Sequence, residues 1–186
     1  MGFHTFDVDR ADALEDPGRY RFCSREELLS LVDPAPTDVV ADLGSGTGFY
    51  TDELAPFVET LYAVDVQTAM HEIYREQGLP ESVDLVTAEV ADLPFAADAL
   101  DAAFSTMTYH EFATDESLAE LARVVRPGGR VVTVDWSAEG DGVDGPPTDE
   151  RYALGDAVSA FADAGFATTH AAERRETFVC VVRREA

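Results

Sequence analysis

After residue 36 the chain repeats one pattern: a short apolar, β-branched run, then a longer stretch in which apolar positions recur at helical spacing. Runs of the first kind stand at 38–43, 60–65, 83–88, 100–107 and 129–136 and are expected to be strands. Helical patterns fit near Phe49–Val58, Gln67–Gln77 and Asp115–Val125. Strands alternating with helices of this length make βαβ units, whose crossovers place the strands side by side in a mainly parallel sheet.

Both ends depart from the repeat. From Arg151 to Phe166 the pattern is helical and is closed by Gly165; the segments 166–173 and 176–184 then read as strands joined by a short turn. So short a connection requires an antiparallel hairpin, which adds one reversed strand to the sheet. At the other end Ser24 stands as an N-cap with Glu27 three residues on, ahead of apolar Leu28, Leu29 and Val32. Pro34 and Pro36 stop that helix, and the Gly/Pro/Asp-rich stretch 137–150 is too polar to bury.

A length of 186 residues with 46% hydrophobic content suits one domain with a sizeable core. Within it, residues 1–36 form an N-terminal helical lid segment, 37–136 the α/β core, and 137–186 the last helix and hairpin. Nothing approaches the roughly 18 to 20 apolar residues of a membrane span, and the acidic N-terminus is unlike a signal peptide, so a cytoplasmic protein is expected. Cys23 and Cys180 lack the spacing of a disulfide framework or a zinc cluster, and no metal site is expected. The charge is extreme: 37 acidic residues oppose 13 basic ones, all arginine, for a net charge of −24. Such a surface repels a phosphate backbone, so nucleic acid is excluded as a partner.

Between the first strand and the first helix lies "DLGSGTG", with glycines at 44, 46 and 48. A glycine-rich turn there lets a ligand approach the backbone near free N–H groups. A nucleotide P-loop requires lysine, of which the chain has none, and both registers of GxGxxG fail, because they put Phe49 or Thr51 at the third small position. That opposes a nicotinamide-dependent reductase.

The motif resembles instead the first motif of class I S-adenosylmethionine-dependent methyltransferases, and further motifs follow in order. Asp65 stands 17 residues past Gly48 at the end of the second strand; "ADLPF" resembles the family's adenine-recognition segment; "RVVRPGGRVVTVDW" resembles its last helix, turn and fifth strand. The resemblance spans residues 38–136 and implies a three-layer αβα Rossmann-like fold with strand order 3-2-1-4-5-7-6 and an antiparallel seventh strand. It also implies S-adenosyl-L-methionine as cofactor. Asp42, Gly44, Ser45, Gly46 and Gly48 would hold its methionine end, Asp65 and Val66 its ribose side, Asp92 and the Leu93 N–H its adenine, while Thr106 and Met107 would line the site.

Outside those motifs the chain is similar to the small "type 11", ubiquinone/menaquinone methyltransferase-like branch. The matching positions are Phe6, Ala11, Leu14, Asp16, Pro17 and Arg19 near the N-terminus, His110-Glu111 after strand four, Asp135-Trp136 ending strand five, and Gly145-Pro146-Pro147 with Arg151. The implied reaction is methyl transfer to a small-molecule acceptor by in-line displacement, driven largely by positioning. His110 is the candidate general base with Glu111 as its orienter; a structural histidine is the alternative. HExxH is not formed, because position 114 is Thr. Tyr109, Asp135, Trp136 and Arg151 are candidates for the acceptor side, with plain packing at a strand end the alternative for Trp136. Tyr20 and Phe22 belong to the lid, from which His4 could also reach the site. A competing function is a catalytically inactive S-adenosylmethionine-binding regulatory or partner subunit, marked by a closed acceptor pocket.

The absence of lysine and the net charge of −24 resemble cytoplasmic proteins of salt-accumulating halophiles, where concentrated cations screen self-repulsion. The melting temperature is therefore expected to rise steeply between dilute buffer and molar KCl; equal melting temperatures in the two would refute the halophilic reading.

Overall fold

The structure is a computed structural model and describes residues 6–186, so His4 lies outside the described residues. Seven strands pair into one sheet: β1 (Val39–Leu43), β2 (Thr60–Asp65), β3 (Val83–Thr87), β4 (Leu100–Thr106), β5 (Val125–Trp136), β6 (Phe166–Glu173) and β7 (Thr177–Arg184). Their order is β3-β2-β1-β4-β5-β7-β6. Only β7 runs against its neighbours, pairing antiparallel with both β5 and β6. The order reverses beside β1, which pairs with β2 on one side and β4 on the other, and ligand crevices open at the carboxyl ends of strands at such a switch point.

Alternate residues along the strands feed two cores on opposite faces of the sheet. Val40, Phe104, Val132 and Val179 pack with Leu28 and Val32 of α1 (Arg25–Val32), Leu54 of α2 (Thr51–Leu54) and Tyr74 of α3 (Thr68–Gln77). Ala41, Leu43, Ala103, Val131 and Phe178 face the other way. They meet Tyr109 and Phe112 of α4 (Tyr109–Phe112), Leu118 and Leu121 of α5 (Asp115–Val124), and Phe161 of α6 (Leu154–Asp163). The result is the three-layer arrangement that the resemblance implies. No helix of the described residues is long and apolar enough to cross a membrane.

Local departures from the expected elements have physical causes. The helix expected over Phe49–Val58 is only α2 followed by a 3₁₀ turn at Ala55–Phe57, because Pro56 has no N–H to continue the ladder. Strand β5 begins at Val125 and not at Gly129, crossing a register shift against β4 between Leu100 and Ala102. Helix α6 begins at Leu154 and not at Arg151, since Tyr152 bridges to Ser137 and accepts from the Ala138 N–H at 3.0 Å. The N-terminal segment is two 3₁₀ turns, Val8–Glu15 and Pro17–Arg21, followed by α1, where the Ser24 hydroxyl accepts from the Glu27 N–H at 3.2 Å as the capping pattern anticipates.

Phe161 is fully buried and stacks on Tyr109 with ring centroids 5.7 Å apart. Phe161→Ala is expected to destabilise the fold by about 3–5 kcal/mol through lost burial and the cavity left behind, read by denaturant titration in molar KCl. A loss well under about 1 kcal/mol would contradict this packing.

Candidate functional site

The glycine loop caps the switch point and is tied to β2 by its own backbone. The N–H groups of Gly44 and Ser45 donate to the Val64 carbonyl at 2.8 and 2.9 Å, and that of Gly46 donates to Asp65 Oδ2 at 2.8 Å. Two of the glycines are required by close approach. A Cβ on Gly44 would stand 2.2 Å from Thr108 Cγ2, and one on Gly48 2.2 Å from the Tyr74 ring, both at positive φ. Beneath the loop Asp42 accepts from the Thr51 hydroxyl at 2.6 Å, and burial pushes its carboxyl up to about 7. Asp42 Oδ1 and Ser45 Oγ are buried with no hydrogen-bond partner among the described residues. Orphaned buried polar atoms are unfavourable unless a ligand or ordered water satisfies them.

Asp65 ends β2 with both oxygens already positioned, Oδ2 by Gly46 and Oδ1 by the Gln67 N–H at 2.8 Å. Each oxygen keeps a second lone pair, so the carboxylate can still accept from two vicinal hydroxyls. Val66 beside it is 46% exposed, an apolar face next to a polar anchor. The adenine segment departs from expectation. The Leu93 N–H donates to Glu120 Oε1 at 2.9 Å, Leu93 itself is buried in the core, and the Asp92 carboxylate lies near Arg123 on α5. Arg123 also holds the Leu93 and Phe95 carbonyls, so this turn is fastened to α5 and its N–H is not free for a ligand. The residue the sequence reading passed over is Glu89. It follows Ala88, whose N–H donates to the Asp65 carbonyl at 3.2 Å, so it stands on the Asp65 side of the crevice, exposed and without a side-chain hydrogen bond among the described residues. An acid directly after the third strand, matching the acids that end the first and second, was the available signal.

On the other side of the switch point, β4 and β5 present a histidine–aspartate pair. The His110 N–H donates to Asp135 Oδ2 at 2.7 Å, and His110 Nδ1 lies 3.0 and 3.1 Å from the two Asp135 oxygens. Asp135 is fully buried. A carboxylate only accepts, so Nδ1 carries the proton and Nε2 is left with the free lone pair. Burial works to lower the His110 pKa, but the charge and hydrogen bond of Asp135, with Glu111 adding to them, hold it above the ordinary histidine value. The orienter of His110 is thus Asp135, placed by sequence on the acceptor side, and not Glu111. Glu111 makes no side-chain hydrogen bond among the described residues. Burial pushes its carboxyl up to about 7, with His110 opposing the rise and Asp65 and Asp135 reinforcing it. The backbone before it is strained: Met107 has φ 61°, a left-handed conformation unusual for such a residue, and donates its N–H to the Val134 carbonyl at 2.7 Å. Thr106, just ahead, is buried at the end of β4.

The remaining candidates are placed as structural parts. Tyr109 is 1% exposed among Phe112, Tyr152, Phe161 and Phe178 in the core. Trp136 is covered by Phe22, with centroids 4.7 Å apart, by the Arg151 guanidinium and by Gly145, at which a Cβ would fall 2.4 Å from the indole. Arg151 is buried and donates to the carbonyls of Pro146, Ser137 and Asp144, so it fastens the 137–150 loop. Tyr20 packs on Phe49 and Tyr50 and bonds Glu53. The N-terminal segment lies over the glycine loop: Leu14 Cδ1 is 3.0 Å from where a Gly46 Cβ would be, Glu15 accepts from the Thr47 hydroxyl, and the Phe6 carbonyl accepts from Gln67 Nε2 at 3.0 Å. The thiols of Cys23 and Cys180 are buried and pushed up to about 12 and about 11, which makes them unreactive.

The orphaned atoms under the loop, the prearranged carboxylate of Asp65 and the apolar Val66 fit a ligand with an amino-acid end, a ribose and an aromatic base. Comparison with known proteins agrees. A family profile described as a methyltransferase domain matches residues 41–133. A demethylmenaquinone methyltransferase of Corynebacterium kroppenstedtii is 36% identical over 114 residues, 61% of this chain and 48% of that protein. An uncharacterized methyltransferase of Mycobacterium bovis is 32% identical over 141 residues, 69% of this chain and 56% of that protein. This chain thus spans about half the length of these curated relatives. The crystal structure of a SAM-dependent methyltransferase from Aquifex aeolicus superposes with a TM-score of 0.86 at 28% identity, covering 96% of this chain and 98% of the other. With its glycine loop, its strand order and this match over half its length, the chain belongs to the methyltransferase domain family, in the Rossmann-like class that uses S-adenosylmethionine.

Proposed function

We propose that the protein transfers the methyl group of S-adenosylmethionine to a small organic acceptor that must lose a proton, with His110 as general base. The observation that carries this reading is the His110–Asp135 pair at the ends of β4 and β5, across the switch point from Asp65. When bound, S-adenosylmethionine supplies a methyl group on a cationic sulfur, open to in-line displacement. Asp42, Ser45 and the loop glycines hold the methionine end, Asp65 accepts from the ribose hydroxyls, and Val66 lies against the base. Glu89 and the neighbouring Val90 N–H, which has no partner among the described residues, take the adenine edge in place of Asp92 and Leu93. Asp135 would fix the His110 tautomer so that Nε2 is free to take the acceptor's proton, while Trp136 and Arg151 pack the 137–150 loop. The demethylmenaquinone methyltransferase relative supports an acceptor of the small-molecule class. The acidic, lysine-free composition supports a cytoplasm rich in potassium salt as the working environment.

Calorimetry in molar KCl is expected to show binding of S-adenosylmethionine and none of NADH; the reverse would overturn the assignment. Asp65→Ala should weaken cofactor binding roughly 10- to 100-fold, since it removes both the ribose acceptor and the tether of Gly46. Unchanged affinity would displace Asp65 from the site.

Labelled methyl transfer to a panel of quinols, phenols and amines tests the base. His110→Ala is expected to lower turnover by roughly 10²–10⁴-fold with cofactor affinity retained. Because the free base is the active form and its pKa is raised, activity should fall as pH drops through a value above that of ordinary histidine. Asp135→Asn removes the charge that raises it and should move that acidic limb to lower pH. A limb that stays in place in Asp135→Asn would remove the pair from the mechanism, and cofactor binding with no turnover on any acceptor would favour the regulatory-subunit alternative.

A further inference from the structure

A second cleft lies on the α1 face of the sheet, away from the glycine loop. It has a volume of about 490 Å³ between α1 and strands β5, β7 and β6, and its lining includes Glu27, Ser30, Arg130, Thr169, His170 and Arg183. Arg130 stands five residues before Asp135 on β5, roughly 16 Å along the strand at the usual rise, so the cleft is separate from the His110–Asp135 pair. Arg130 and Arg183 are register partners across the antiparallel β5–β7 pair. They therefore share one face of the sheet, and like charges directly opposite each other are unfavourable. In a chain where 37 acids outnumber 13 arginines, an acid between them would be the simplest remedy. Glu27 is the one acid among the described lining residues, and it is turned to Arg174.

The two guanidinium groups are held in place but not neutralised. Arg183 donates to the Gly128 carbonyl at 2.7 Å and has no ion pair among the described residues. Arg130 donates to the Leu31 carbonyl at 3.0 Å and pairs at 3.1 Å with Asp33, an acid 75% exposed and therefore screened by water. Each guanidinium carries five N–H donors, so most remain for a ligand. The ladder beside them adds an imidazole. Thr168 stands opposite Val182, so an unbroken β6–β7 register would set His170 opposite Cys180, whose side chain lies in the core under α5 and α6. A register shift between Thr168 and His170 sets it opposite Val181 instead, on the face of the two arginines. We propose that this cleft binds the phosphate group of a soluble phosphorylated small molecule, held between the guanidinium forks of Arg130 and Arg183 with His170 and Ser30 at its sides. A phosphate monoester brings close to two negative charges and three terminal oxygens, which match two planar forks better than a single carboxylate does. The net charge of −24 repels a nucleic acid or an anionic bilayer as a whole, so the phosphate arrives on a ligand small enough to enter the cleft.

Calorimetry in molar KCl with glycerol 3-phosphate, inorganic phosphate and acetate tests the site. The wild-type protein is expected to bind both phosphate ligands and to bind acetate at least roughly tenfold more weakly. Arg183→Gln should weaken both phosphate ligands by at least roughly tenfold, and Arg183→Lys should keep part of the affinity. Because Arg183 is exposed and remote from the glycine loop, its substitution should leave the affinity for S-adenosylmethionine unchanged, which also shows that the variant is folded. A wild-type protein that binds neither phosphate ligand would overturn the proposal without any variant. Acetate bound as tightly as phosphate, or phosphate affinity unaltered in Arg183→Gln, would overturn it as well. Sedimentation with phosphatidic acid vesicles, in the absence of binding to the soluble phosphates, would assign the face to a membrane and not to a small molecule.

Discussion

Three backbone hydrogen bonds from the glycine loop to the end of β2 hold the ligand edge of the sheet together. Gly44 and Ser45 reach the Val64 carbonyl and Gly46 reaches the Asp65 carboxylate, so the turn after β1 cannot move without the acid that ends β2. The same turn is pressed from the other side by Thr108, whose Cγ2 occupies the space a Gly44 side chain would need. Both constraints bear on backbone where positive φ and close approach exclude a Cβ. One loop therefore sets the relation between the cofactor side, β1 and β2, and the chemical side at the end of β4.

The chemical side depends on a second junction. β4 and β5 are parallel neighbours, so a residue just past β4 meets the carboxyl end of β5, and this brings His110 against Asp135. Asp135 is bonded twice over, to the His110 N–H and to its ring, so the carboxylate positions the short helix α4 as well as the imidazole. Tyr109 anchors that helix from below in the aromatic core. The imidazole is thus held by the buried Asp135 carboxylate and by the buried ring of the residue before it, Tyr109. Glu111, two residues from Tyr109, is partly buried and free of side-chain hydrogen bonds among the described residues.

Charge acts on two levels. Most ion pairs have at least one exposed partner, such as Arg126 with Asp101 and Arg175 with Asp141, and surface pairs contribute about 0–1 kcal/mol each and less in salt. They moderate the acidic surface and do not hold the fold, which rests on the two apolar cores. Arg151 and Arg19 differ, since burial makes their hydrogen bonds matter. Arg151 gathers the carbonyls of the 137–150 loop over Trp136, and Arg19 stands over the glycine loop beside Phe49 and Tyr50.

The alternation of apolar runs, the glycine register and the acids ending β1 and β2 were legible in the sequence because each follows from local geometry: a period of two, a positive φ, a side chain at a strand end. The reversed strand followed from the short final turn, and the strand order from the family resemblance. Contacts between distant segments were not legible. That Asp135 and not Glu111 holds His110, that Leu93 turns its N–H to Glu120, and that Arg151 and Trp136 are consumed in packing a loop all depend on which strand ends become neighbours. Glu89 carried a signal in its place after the third strand, but its position beside the Asp65 carbonyl is a tertiary contact. By itself the sequence determined the α/β alternation, because repeating local patterns encode it, and its motifs carried the family resemblance that implied the full fold and the kind of ligand. The partners of each polar side chain were decided only by the tertiary structure, because hydrogen bonding at a crevice depends on residues far apart in the chain meeting within about 3 Å.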